Sequence, residues 1–412
     1  MSRSKIIWVM AVLSFVFISG LEADVSVSLA NESLMSMHRG AAYLLERQAE
    51  NGSWSGEPSI TALAVKVLHN SSAPRLQDDI DDAIARGREF ILEHVQEGGA
   101  ISGVYQPYLN YTTSLCLIAL SELGRPEDEE VMRDARRFLI DLQLREDHPE
   151  HPTSPENPFY GGIGYGSGGP EAPDLSNTQF ALEALYRSAH LDTSGEGKKS
   201  AQSAFARAIL YLRSVQRIPA DADSDWTYDP ERDLDSDGGF IYRPDQCRVR
   251  EQLTHEFEGE PTSYGATTAG GLKSLLYAGV DRDDYRVQAA IEWIKRNYTL
   301  EENPVIGPEA HYYHLWTFAK AMDAYGEEIL ETADGQERSW RRDLLLTLLN
   351  LQQADGHWRN EKSGRYMESI PELTTAYALI AMQTALEDVL KGQEAGAAVV
   401  PACDFVKTMA LR

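Results

Sequence analysis

The chain has 412 residues, with 38 Lys plus Arg against 64 Asp plus Glu, a formal net charge of −26. Hydrophobic residues at 42% and charged residues at 25% describe a globular chain, not a disordered one. A surface this acidic repels phosphate backbones and anionic lipid, which argues against nucleic acid as a partner. Cys116, Cys247 and Cys403 are too few for a disulfide framework and too far apart for a zinc ribbon.

Residues 1–23 read as a signal peptide. Arg3 and Lys5 precede an almost wholly apolar run from Ile6 to Ile18, and Leu21-Glu22-Ala23 suits a cleavage site. No later run of 18 apolar residues follows, so the mature chain is expected to lack a transmembrane segment and to be periplasmic or secreted. Residues 34–390 form one repeat region, and 391–412 a C-terminal tail.

Within that region a helical frame, Thr-x-x-small-aliphatic-x-small-large, recurs. It begins at Thr61, Thr113, Thr178, Thr268 and Thr375, and a copy at Phe318 lacks the threonine. Small residues at this spacing let helices approach closely, and the apolar surround implies burial. A more amphipathic helix precedes each copy, with an aromatic-aliphatic pair and then Gln, as in Tyr43-Leu44 before Gln48 and Tyr211-Leu212 before Gln216. From each threonine frame to the next glutamine frame the steps are 34, 30, 38, 30 and 34 residues. From each glutamine frame to its own threonine frame they are 13, 18, 35, 52, 20 and 23, so the long insertions all fall on one type of connection. The fold expected is all-α, an (α/α)6 toroid of six helical hairpins, with apolar helices inside, amphipathic ones outside and long loops at one mouth. An open superhelix remains the alternative, because periodicity does not prove closure.

Gln48-Ala-Glu-Asn-Gly52-Ser-Trp54 and Gln352-Gln-Ala-Asp-Gly356-His-Trp358 both spell Gln-x-x-x-Gly-x-Trp, and Gly161-Gly162 and Gly238-Gly239-Phe240 are variants. These segments resemble the repeat shared by squalene/oxidosqualene cyclases and protein prenyltransferase β subunits. The resemblance implies a terpenoid-cyclase-like toroid and no particular chemistry. The cyclases' Asp-x-Asp-Asp string occurs at Asp79-Ile80-Asp81-Asp82, but it opens an outer helix, where it reads as a helix cap. The prenyltransferases' Asp-x-Cys pair occurs at Asp245-Gln246-Cys247, upstream of the position that family uses, with His311 or His314 as a third zinc ligand only if the three converge.

No cofactor is established. Asp233-x-Asp235-x-Asp237-Gly238 copies the opening of a calcium loop but has Pro244 where that loop ends in Glu, so calcium at Asp233, Asp235 and Asp237 is an expectation set against a plain acidic loop. The loops at the mouth supply the remaining candidates. His311, His314, Tyr264, Glu372 and Asp174 are candidate acid–base groups, and Tyr108, Tyr111, Asn177, Tyr312 and Trp226 candidate ligand contacts. An apolar or carbohydrate-like ligand would suit them. The leading reading is an exported toroid with a ligand-binding central cavity. The alternatives are an exported polysaccharide lyase or hydrolase, or a non-catalytic scaffold. Either histidine within hydrogen-bond reach of Tyr264 or Glu372 would favour an enzyme.

Overall fold

A computed structural model describes residues 25–103, 108–166, 172–223, 225–227, 229, 233, 236–245 and 262–394. Its helices are α1 Val27–Arg47, α2 Pro58–His69, α3 Gln77–Glu93, α4 Leu109–Leu123, α5 Glu129–Asp141, α6 Leu175–Arg187, α7 Gly195–Val215, α8 Gly265–Tyr277, α9 Tyr285–Arg296, α10 His311–Tyr325, α11 Trp340–Leu351 and α12 Pro371–Glu394. Among the described residues the strands are one short antiparallel pair, β1 Ile329–Glu331 and β2 Glu337–Ser339.

Local signals fix the helix ends. Ser26, Asp174, Ser194 and Ser339 each accept a hydrogen bond from the backbone N–H three residues on, the ordinary N-cap. Gly124 and Gly326 end α4 and α10 in the left-handed conformation. The even-numbered helices carry the threonine frame and are buried on nearly every side, whereas α5 buries only the stripe Met132, Ala135, Arg136 and Leu139.

The even-numbered helices pack in one cycle, α2–α4–α6–α8–α10–α12, and α12 returns to α2. Outside them α1 packs on α11 and α12. The chain is thus an α/α toroid and not an open superhelix.

The repeated residues are the fasteners of that ring. Gln48 Nε2 donates both to Gly52 O at 2.9 Å, in its own turn, and to Ala83 O at 2.8 Å on the next outer helix, α3. Gln143 and Gln216 bridge to Ala204 on α7 and Arg286 on α9 in the same way, and Gln352 bridges to Ser36 on α1. The glutamine therefore does more than satisfy the end of its own helix. Each threonine hydroxyl accepts the backbone N–H of the residue in the aromatic slot: Thr61 from Trp54, Thr113 from Ile101, Thr178 from Ile163, Thr268 from Phe240 and Thr375 from Trp358. Gly52 is needed twice over, at φ +83° and with Arg86 O only 2.4 Å from where a Cβ would stand.

The acidic Asp79, Asp81 and Asp82 lie on outer helix α3. Asp81 accepts from Gln77 and Asp82 pairs with Arg86. Cys116 is a buried free thiol.

Candidate functional site

Where the inner helices begin, the toroid encloses a cavity of about 200 Å³. Eight tyrosines line it, Tyr108, Tyr111, Tyr165, Tyr242, Tyr264, Tyr313, Tyr366 and Tyr377. Phe180, Leu175, Ile306, Met367 and Leu373 add apolar surface. Among the described residues Glu57 is the one charged side chain in the wall; it stands immediately before α2 and is buried.

Several of these hydroxyls are satisfied by the wall itself. Tyr111 and Tyr377 pair their oxygens at 2.9 Å, Tyr165 and Tyr242 at 3.3 Å, and Tyr313 meets Ser176 at 3.2 Å and the Gln179 amide. Burial pushes the Tyr111 hydroxyl up to about 12 and raises Tyr313 and Tyr377 as well. These phenols are neutral at physiological pH. The rings brace one another: Tyr111 meets Phe180 edge-on at 4.9 Å, and Tyr377 stacks on Trp316 at 4.7 Å. Ala310, Tyr366 and Met367, all in the wall, have positive φ without being glycine, so part of the cavity is built on strained backbone.

Of the residues picked out from the sequence, Tyr108, Tyr111, Asn177 and Tyr264 line the cavity. Asp174, His311, Tyr312, His314, Glu372 and Trp226 are not among its lining residues. Asp174 sits behind the wall as the cap of α6, accepting from Asn177 N and Nδ2, each at 2.8 Å. His311 Nε2 is 2.8 Å from Leu300 O, and burial lowers its pKa. His314 packs against Phe318 at 5.9 Å, and burial drives it down to about 3, leaving the ring neutral. Glu372 accepts from Ser55, and the Tyr312 hydroxyl donates to Arg359 O. No hydrogen bond of either histidine to Tyr264 or Glu372 is present among the described residues.

The acidic loop is occupied with its own contacts. Asp233 accepts from Asp229 N. Asp237 accepts from Ser263, Gly239 N and the Trp293 indole, and faces Arg217 at 3.7 Å. Asp235 and Cys247 lie outside the described residues, and Asp245 pairs with Arg243. Among the described residues no three potential metal ligands cluster.

Tyr165, Tyr242 and Glu57 escaped the sequence reading. Tyr165 and Tyr242 each follow the aromatic slot, Ile163 or Phe240, by two residues, an offset that places both on the wall. Glu57 holds the same place before α2 that Asp174 holds before α6. The inner helices, expected to be apolar, carry buried charge as well. One turn beyond Gln179, the fully buried Glu183 takes Lys273 at 2.6 Å and Lys320 together, while Lys66 pairs with Glu122. Lys66, Glu183 and Lys273 share one slot of the threonine frame, so alignment of the frames was the signal. Glu368, from the loop before α12, is wholly buried; it accepts from Tyr313 N at 2.8 Å and from Asn360. Burial raises it to about 7.

No protein-family model and no curated protein matches the sequence. Solved structures do match. A type II terpene cyclase from Scytonema aligns with a TM-score of 0.51 at 15% identity, over 88% of this chain and 99% of that one. A glycoside hydrolase family 76 α-1,6-mannanase from Salegentibacter aligns at 0.52 and 11% identity, over 87% and 99%. A family 76 mannosidase from Bacteroides thetaiotaomicron gives 0.52 and 13%, over 88% and 100%. At such identities the likeness is one of fold. This chain has the α/α toroid fold that these terpene cyclase and family 76 structures share.

Proposed function

We propose that the chain is an exported toroid whose central cavity binds an apolar or extended organic ligand. The observation that carries this is the tyrosine wall, in which hydroxyls hydrogen-bond to one another and leave mainly carbon surface for a guest. A Scytonema relative in fold is described with geranylgeranyl dihydroxybenzoate as its substrate, so this scaffold can hold an extended, largely apolar guest, while the family 76 structures show that it can also serve a carbohydrate. The carbohydrate reading is weaker on chemical grounds. Glycoside hydrolysis ordinarily uses two carboxyl groups about 5–10 Å apart across the bond, and among the described residues this wall offers Glu57 alone. Export rests on the first 23 residues. Calcium at Asp233, Asp235 and Asp237 stays a proposal, one that a rise in Tm with millimolar calcium would support.

The test is native mass spectrometry of the protein from its own host, joined to titration of the purified chain with an environment-sensitive apolar dye. A bound lipid-like mass, or dye binding abolished by Tyr111→Trp, supports the reading. An empty protein that also ignores the dye overturns it.

A further inference from the structure

One slot of the inner ring lacks a side chain where its equivalents carry large ones. Two residues after the start of each helical frame stand Leu63, Leu115, Phe180, Lys320 and Tyr377, all buried, and in α8 the same slot holds Gly270. A glycine inside a helix costs about 0.5–1 kcal/mol against alanine. Backbone-close packing explains the next glycine, Gly271, whose Cβ would stand 2.4 Å from the Phe240 ring. At Gly270 the three atoms nearest a Cβ all belong to the Gln179 side-chain amide, at 3.2, 3.3 and 3.6 Å, and both residues line the cavity. Gly270 is also the deepest residue that α8 gives to the wall. The missing side chain thus leaves a recess in the cavity floor with the Gln179 amide across it.

That amide is half satisfied. Its Nε2 donates to the Tyr313 hydroxyl, whereas its Oε1, on the side of the recess, is buried with no hydrogen-bond partner. A buried carbonyl oxygen left unpaired costs about 1–3 kcal/mol, and native interiors hold few of them. Oε1 can only accept, so the group that completes it must donate. An ammonium would donate too, but one turn below, Glu183 with Lys273 and Lys320 already holds a surplus positive charge that opposes a further cation. Resting on the reading of the cavity as a ligand site, we infer that its guest is an apolar alcohol, whose hydroxyl enters the recess over Gly270 and donates to Gln179 Oε1. The carbon body then lies against the tyrosine wall. An ether or a hydrocarbon of the same shape leaves Oε1 unpaired.

A pair of isomers tests this by displacing the apolar dye from the full chain: n-decanol, and methyl nonyl ether, which keeps the oxygen and loses the donor. The alcohol is expected to bind about tenfold more tightly than the ether. Gln179→Met should bring the two within about twofold by weakening the alcohol alone. Gly270→Ala, which sets a methyl group against the amide, should likewise weaken the alcohol more than the ether. Should Gln179→Met fail to fold, Gly270→Ala and the wild-type ranking decide. Ether binding as tight as that of the alcohol in the wild type overturns the hydroxyl subsite and leaves the apolar cavity standing. A preference that survives Gln179→Met moves the hydroxyl to another acceptor, such as Asn177 Oδ1, also buried without a partner, and overturns the assignment. Failure of both isomers to displace the dye overturns this inference and the cavity reading together.

Discussion

Lys320→Met is expected to stabilise this protein, although it removes a residue with a buried ion pair. Glu183 is shared by Lys273 and Lys320, all three buried, so this trio holds one positive charge more than it neutralises. Burial lowers Lys320 from 10.5 to about 7 despite the attraction of Glu183. Burial also works against ionised Glu183, but the two lysines outweigh it and keep its carboxyl below the usual range. A drop from 10.5 to about 7 is worth at most ~5 kcal/mol at acidic pH. Allowing for the attraction forfeited, Lys320→Met should gain ~1–3 kcal/mol near pH 6. Glu183→Gln does the opposite: it strands two buried ammonium groups and should cost ~3–5 kcal/mol. The pair Glu183→Gln with Lys320→Met should fall between. The sign of the pH dependence follows from a depressed base. Between about pH 7 and 10.5 the unfolded chain holds a proton that the folded chain has released, so wild-type stability rises with pH there, and Lys320→Met loses that rise. Denaturant unfolding at pH 6 and 9 measures both effects. A Lys320→Met protein less stable than wild type at pH 6, or a neutral Glu183→Gln, would refute the surplus-charge account.

Three further outcomes follow from the geometry. Gln352→Ala removes two donated hydrogen bonds that join the last turn to α1, leaves Ser36 O and Gly356 O without that donor, and should cost ~2–3 kcal/mol in urea unfolding. Tyr366→Gly relieves a residue at φ 57° and is expected to raise stability by ~1 kcal/mol while weakening ligand binding, because its ring leaves the cavity wall. Glu368 titrates in the reverse sense to Lys320. Its carboxyl is raised to about 7 by burial, so the folded chain holds the extra proton and Tm falls as pH climbs from about 4.5 to 7. Glu368→Gln should flatten that part of a calorimetric pH series.

The fold was legible because its fasteners repeat in the sequence. Thr61, Thr113, Thr178, Thr268 and Thr375 do the same work in each repeat, accepting one backbone N–H, and so recur in one frame. The site was only partly legible. Tyr108, Tyr111, Asn177 and Tyr264 precede or open inner helices and could be placed at the mouth from order alone. Tyr377 lies inside α12, and its hydroxyl meets that of Tyr111 on α4 only because the ring closes. His311 and His314 looked chemical by residue type, yet direction decides such matters, and these rings turn towards Leu300 and Phe318. The Glu183 layer has a related origin: α6, α8 and α10 follow one another around the ring, and its curvature turns Glu183, Lys273 and Lys320 onto one point.

The join between the two ends of the ring bears on how the chain is born. The first helices find partners in the last ones, through Gln352 to Ser36 on α1 and through Gln383 to Val67 on α2. A ribosome must therefore release nearly the whole repeat region before either partner exists. Until then α1 and α2 keep one flank uncovered, and no stretch of the growing chain can lock into the finished ring. Closure of the ring is deferred to the end of synthesis.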